Sequence, residues 1–306
     1  MSDNYDDLIE QMEQKPEPTA ADEPQRGQES KEEFAARMKA ERDNLSALAN
    51  KTETEVVADG GTFQKYLGAL GRFERYSAQN TLLIFAQHPD ATKIGDYDHW
   101  KEAETPVSRN ETGFSIFEPG KEYRRDDGGV GVSMNIKKMF DISQTAARNK
   151  LQPEPVRDPR TLLGALMRNS PAPIKLVDSL QDGVGAHFNE QRGVIEVVRG
   201  LDGDSLFRCL SQEIAYAELD HRDNGSLQCR DKGFASYAAS YAICAKHGID
   251  TKGYHFGEVT KYFAGCDGKE IRGEIKAIRD TVNDVATRMA RTLNPPERNA
   301  PSQEAR

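Results

Sequence analysis

Apolar residues recur at spacings of three and four in two long parts of the chain, and a short part between them alternates as strands do. The first helical part opens with KEEFAARMKAERDNLSALA (31–49), after which Phe63, Tyr66, Leu67, Leu70 and Phe73 form one stripe. That stripe predicts a helix with a single buried face. A second short helix through NTLLIFAQ (80–87) stops at His88-Pro89, because a proline ring clashes with a continuing helix. The period then changes. GFSIF (113–117) and VGVSMNIKKMFDIS (130–143) read as the two strands of a hairpin, joined by a long polar tip, EPGKEYRRDDGG.

RNKLQPEPVRDPR (148–160) combines three prolines with several charges and predicts a domain boundary. Beyond it come a helix at TLLGALMRN, an extended piece at PIKLVD, and a hairpin GAHFNEQRGVIEVV (185–198) turning at Glu190 to Gly193. Three helices follow. Leu206, Phe207, Leu210 and Ile214 share a face of the first; Phe234, Tyr237, Tyr241 and Cys244 recur along the second, with Gly248 placed as a left-handed C-cap and Ile249 folding back. The third carries Ile271, Ile275, Ile278, Val282, Val285 and Met289 in one stripe and ends at Asn294-Pro295-Pro296. The pattern shows no internal repeat, which removes solenoid architectures.

Composition changes this picture in three places. Residues 1–30 are rich in Glu, Asp, Gln and Pro and hold too few large apolar groups to offset the entropy of ordering, so a disordered tail is expected. The net charge of −9 belongs to the start of the chain: residues 1–60 carry 16 acidic against 7 basic groups, and the remainder is balanced. A balanced remainder neither requires nor forbids a phosphate-backbone partner. The four cysteines, Cys209, Cys229, Cys244 and Cys266, include no C-x-x-C pair and read as reduced thiols. With no apolar run long enough to cross a bilayer and an acidic N-terminus, a cytoplasmic protein with no membrane partner is expected.

The chemistry-bearing segment is LSQEIAYAELDH (210–221). A zinc hydrolase of the H-E-x-x-H type stacks two imidazoles four residues apart on one helix face, and its glutamate deprotonates the metal-bound water. Here that template is filled by Gln212, Glu213 and Tyr216: the glutamate is kept and both imidazoles are replaced. A neutral amide is a poor zinc donor, and a phenol must lose a proton with a reference pKa near 10. Of the nearby Glu218, Asp220 and His221, only Asp220 lies near the same helix face, about 40° from Tyr216. The remnants Gln212, Glu213 and Tyr216 are expected to hydrogen-bond one another, because buried polar groups left unpaired cost about 1–3 kcal/mol each.

From about residue 45 to 290 the chain resembles the ArdC-type antirestriction proteins of conjugative plasmids and integrative elements. RFERYSAQNTLLIFAQHPDATKIGDYDHWKEAETPV, TGFSIFEP and KKMFDISQT carry the resemblance in the first half; AHFNEQRGVIEVV, LSQEIAYAEL and SYAICAKHGIDT carry it in the second. It implies a single-stranded-DNA-binding N-terminal domain and a zincin-like C-terminal domain. Where the family often places a further glutamate ligand, this sequence reads Ala235, Ser236, Tyr237. It also replaces a lysine-rich turn by VSRNETG, whose one basic residue is Arg109.

The expectation is therefore an α+β chain: disordered acidic tail 1–30, helical and hairpin single-strand-binding domain 31–147, linker 148–160, zincin-like domain 161–293, disordered tail 294–306. The zincin-like domain is expected to be a pseudo-metallopeptidase with no catalytic residue, no metal and no cofactor. Single-strand binders pair basic groups for phosphates with aromatic faces for bases. Candidates for that role are Arg72, Arg75, Tyr76, Asn80, Trp100 and Lys101, extended by Arg109 and by Arg124 and Arg125 on the hairpin tip. Tyr76 fits a core position equally well, and Trp100 fits an apolar edge. The implied partners are single-stranded DNA, bound weakly and with steep salt dependence, and a protein partner left unspecified. Two other readings fit the same residues: an active metallopeptidase with rearranged ligands using Glu213 as base, and a protein-interaction module without DNA binding.

Overall fold

The computed structural model describes residues 30–124, 128–147, 157–168, 170–223 and 230–294. The chain divides into two compact units, residues 1–41 and 42–306. In the first, helix α1 (Lys31–Val57) begins with a reciprocal cap. The Ser30 hydroxyl accepts from the Glu33 N–H at 3.1 Å and the Glu33 carboxylate accepts from the Ser30 N–H at 2.9 Å.

The second unit holds the remainder of α1 and every other element. Helix α2 (Gly60–Arg72) starts at Asp59, whose side chain accepts from the Thr62 N–H, and α3 (Ala78–Gln87) starts at Ser77 and ends at His88, as the proline at 89 requires. The predicted stripe is the buried face of α2: Phe63, Tyr66, Leu67, Leu70 and Phe73 are all buried. Strand β1 (Ile94–Gly95) and the short helix α4 (Tyr97–Glu102) lead into the hairpin β2 (Phe114–Arg124) and β3 (Val130–Asp141). This antiparallel sheet has the order β1-β3-β2. The tip is shorter than the polar stretch EPGKEYRR suggests, because pairing resumes past an irregularity between Pro119 and Glu122 and carries on to Arg124 opposite Val130.

Helix α5 (Pro159–Met167) begins within the stretch read as linker: Asp158 caps it, and the Arg157 guanidinium donates to the Leu293 carbonyl at 3.2 Å. The remaining residues of 148–160, and both expected tails apart from Ser30 and Asn294, lie outside the described residues. Strands β4 (Ile174–Val177), β5 (Ala186–Asn189) and β6 (Val194–Val198) form the second sheet in the order β4-β6-β5. β5 pairs antiparallel with β6 through a turn in which Gly193 takes φ +58, and β4 pairs parallel with β6. Helices α6 (Gly203–Asp223), α7 (Lys232–Lys246), α8 (Val259–Tyr262) and α9 (Gly268–Leu293) complete the chain. α7 ends as predicted at Gly248, φ +70, with the Ile249 N–H returning to the Cys244 carbonyl.

The fold is α+β. Its main core draws on α2 and α3 as well as on α5 to α9: Phe63, Leu67, Leu70 and Leu82 share one cluster with Ile195, Ile214, Ile243, Ile278 and Val282. α2 approaches α7 closely enough that a Cβ on Gly71 would lie 2.5 Å from the Ala242 carbonyl oxygen, which excludes a larger residue there. Two smaller clusters sit under the hairpin: Phe73, Ile84, Phe114 and Met139 in one, Leu45, Ala49, Leu83 and Phe117 in the other. The described cysteines Cys209, Cys244 and Cys266 are free thiols. Among the described residues no helix is long and apolar enough to cross a membrane.

Candidate functional site

Two clefts each bring together several sequence-predicted site residues. The first, of about 510 Å³, lies between α6 and the β5–β6 hairpin and is lined in part by His187, Glu190, Gln212, Glu213 and Tyr216. Its geometry follows from strand register. β5 is an edge strand, and the antiparallel ladder alternates, so with the Val198 N–H bonded to the Gly185 carbonyl, residues 187 and 189 face β6 while Phe188 turns its N–H outward. That outward N–H donates to the Glu213 carboxylate at 2.7 Å. The Tyr216 hydroxyl donates to the Glu190 carboxylate at 2.6 Å. Glu213 and Tyr216 thus pair with the hairpin rather than with each other or with Gln212, which corrects the expectation of mutual hydrogen bonds. The strand edge presents a donor to Glu213, and the turn presents an acceptor to Tyr216.

Burial pushes the Glu213 carboxyl above its ordinary range, opposed by the Phe188 N–H and the nearby His187. The bond to Glu190, with burial and the Glu190 charge behind it, pushes the Tyr216 phenol up to about 12. A phenol held so firmly in its protonated form is a weaker cation donor than a free tyrosine. The alternative donors are engaged elsewhere: Asp220 accepts from Lys232 at 2.8 Å, Glu218 pairs with Arg288, and His221 is exposed. On α7, Ala235 and Ser236 are buried, and the Tyr237 hydroxyl accepts from the His255 N–H at 2.8 Å. Among the described residues, no three His, Cys, Asp or Glu side chains come together as a metal-holding group. The donor set of this cleft does not fit a zinc ion. Gln212 also walls a smaller cleft of about 180 Å³ with Cys209, Tyr237 and Tyr254, and burial pushes the Cys209 thiol up. Sequence reasoning missed His187 and Glu190, although the hairpin turn at Glu190 to Gly193 was the available signal.

The second cleft, of about 440 Å³, lies between the α2–α3 corner and the β2–β3 hairpin. It brings Arg75, Tyr76 and Asn80 together with Lys137 over an apolar floor that includes Ile116, Met134 and Met139. Arg75 is exposed and Tyr76 half-buried, its ring edge against Phe73. Asn80 is buried and pairs with the outward edge of β2: its amide donates to the Phe117 carbonyl at 2.7 Å and accepts from the Phe117 N–H at 2.9 Å. Gln87, seven residues on and hence on the same helix face, does the same for Ser115. Lys137, which the sequence did not single out, sits between Asp96 and Glu118, 2.7 Å from each, and these hydrogen bonds raise its pKa.

The other candidates are not part of this groove. The Arg72 guanidinium closes the loop after α3 by donating to the Ala91 and Pro89 carbonyls at 2.8 and 2.9 Å. Trp100 is 2% exposed and donates its indole N–H to the Phe140 carbonyl at 3.0 Å, so its face is not open to a base. Lys101, Arg109 and Arg124 are exposed and line neither cleft; Arg125 lies outside the described residues.

No family model matches the chain, and no curated protein matches it. Among solved structures it is similar to the crystal structures of antirestriction ArdC protein from the R388 plasmid. The metal-free form is 14% identical, covers 71% of this chain and 85% of that one, and superposes with a TM-score of 0.47. The Mn(II)-bound form is likewise 14% identical, covering 72% and 86%, with a TM-score of 0.46.

Proposed function

We propose that this chain is a DNA-associated, antirestriction-like accessory protein of a mobile element, which binds single-stranded DNA beside the β2–β3 hairpin and carries a zincin-like half without peptidase chemistry. One observation carries the reading: the neighbouring Arg75 and Tyr76, a cation and an aromatic, meet the distant Lys137, a second cation, in one groove with an apolar floor. Phosphates take the cations and bases take the apolar and aromatic faces. The antirestriction part rests on the motifs RFERYSAQNTLLIF, TGFSIFEP and KKMFDISQT. The loss of peptidase chemistry is supported by Glu213 and Tyr216 being engaged by the hairpin and by the replacement of both imidazoles.

Lys137 is neutralised by Asp96 and Glu118, so the attraction to phosphate is modest. What attraction remains works through phosphate contacts that release counterions, so affinity falls as salt rises. Fluorescence anisotropy with labelled oligonucleotides tests this: single strands bind at low salt and release at moderate salt, with duplexes weaker throughout. Equal failure of single and double strands at low salt overturns the reading.

A further inference from the structure

Another cavity, of about 330 Å³, adjoins the groove and shares two of its walls, Ser77 and Met134. Its volume falls within the range of small-ligand sites, about 300–1,000 Å³. Ala49, Leu82 and Ile275 give it apolar walls, the amides of Asn50 and Gln79 stand on its rim, and α9 contributes Arg272, Lys276 and Arg279. These last three are far from the hairpin in sequence and belong to the helix that the amphipathic pattern explains wholly as core and solvated face.

α9 is tied to the groove as well as adjoining it. The Arg279 guanidinium donates to the Tyr76 carbonyl at 2.6 Å and to the Arg75 carbonyl at 3.1 Å, with its third contact on Asp280 at 2.8 Å. It therefore holds the corner that presents Arg75 and Tyr76. Arg272 and Lys276 keep 50% and 59% of their side chains exposed while touching Glu53 and Asp280. Five cations line the two cavities with three carboxylates, Glu53, Glu118 and Asp280, and Asp96 beside Lys137 is a fourth, so the joint tract keeps an excess of one positive charge.

We propose that the strand-binding tract continues from the hairpin groove into this cavity, where one nucleobase is held between Leu82, Met134 and Ile275 and its phosphate meets Lys276 on α9. This rests on the single-strand reading above and deepens it. The amides of Asn50 and Gln79 present donors and acceptors to the base edge, and Arg279 acts as a positioning residue for the Arg75–Tyr76 corner.

The test is photocrosslinking of the full chain with an oligonucleotide carrying 4-thiothymidine, mapped by mass spectrometry, together with the affinities of Lys276→Glu and Lys276→Gln. Crosslinks at 272–279, a loss of roughly tenfold for the Glu variant, and a salt slope reduced by about 0.7 for the Gln variant are expected. Lys276 is exposed, so both variants fold. An abasic residue at the crosslinking position lowers affinity by a comparable factor. Binding that crosslinks only near Arg75 and Tyr76 and is indifferent to Lys276 overturns this inference and leaves the groove intact. Absence of any single-strand binding by the unaltered chain overturns the groove and this extension together.

Discussion

The two sheets solve the same problem with different side chains. Each ends in an edge strand whose outward backbone groups need partners, and each is covered by a helix that supplies them. On β2 the partners are two neutral amides, Asn80 and Gln87, each satisfying both a carbonyl and an N–H. On β5 the partner is a carboxylate, Glu213, satisfying one N–H. An amide pair is symmetric and insensitive to pH. A carboxylate cannot donate, carries a charge that burial opposes, and faces a cleft. A residue of functional type can thus serve as an edge cap, and only its surroundings distinguish a purely structural cap from a remnant of chemistry.

The largest effect is expected at the amide cap. Asn80→Ala leaves the Phe117 N–H and carbonyl buried without partners, and at about 1–3 kcal/mol per group the loss is about 2–6 kcal/mol in chemical denaturation. A variant as stable as the parent would show that water replaces the amide and that the β2 edge is not sealed.

Glu213 sharpens the contrast through pH. Glu213→Ala removes the acceptor for one N–H and costs about 1–2 kcal/mol. Glu213→Gln keeps an acceptor and loses the charge. Because burial raises the folded-state pKa of Glu213, its contribution to stability is present at low pH and is lost as pH rises through the folded value. The Gln variant therefore matches the parent in acid and becomes the more stable of the two as pH increases; denaturation midpoints measured across that range check the sign. The smallest effect belongs to Tyr216→Phe. Its hydroxyl bonds an exposed Glu190, so stability changes by about 0.5 kcal/mol or less.

Much of this architecture was legible in the chain. The stripes of α2 and α9, the stop at His88, the Gly248 cap and both hairpins follow from local period and turn chemistry, which act over a few residues. Three features depend on contacts distant in sequence and left no local trace. β4 joins β6 in parallel, the buried stripes of α2 and α7 share one core, and Lys137 and Arg279 converge on the Arg75–Tyr76 corner. Among the candidate residues, type alone did not show that the fold has its own use for the same group. Trp100 and Arg72 bond backbone carbonyls, as Asn80 does, and none of these uses is visible in residue identity.

The central claim is that hydrogen bonds from Glu213 and Tyr216 to the β5–β6 hairpin hold a cleft in which Gln212 and Tyr216 stand where a zinc site would need imidazoles. Elemental analysis of the full chain, purified without chelator and then titrated with zinc, tests it most directly. The account predicts less than stoichiometric metal in the unaltered chain and a gain of zinc affinity in the Gln212→His, Tyr216→His double variant. One tightly held zinc per unaltered chain, lost on substitution of Glu213, would contradict it.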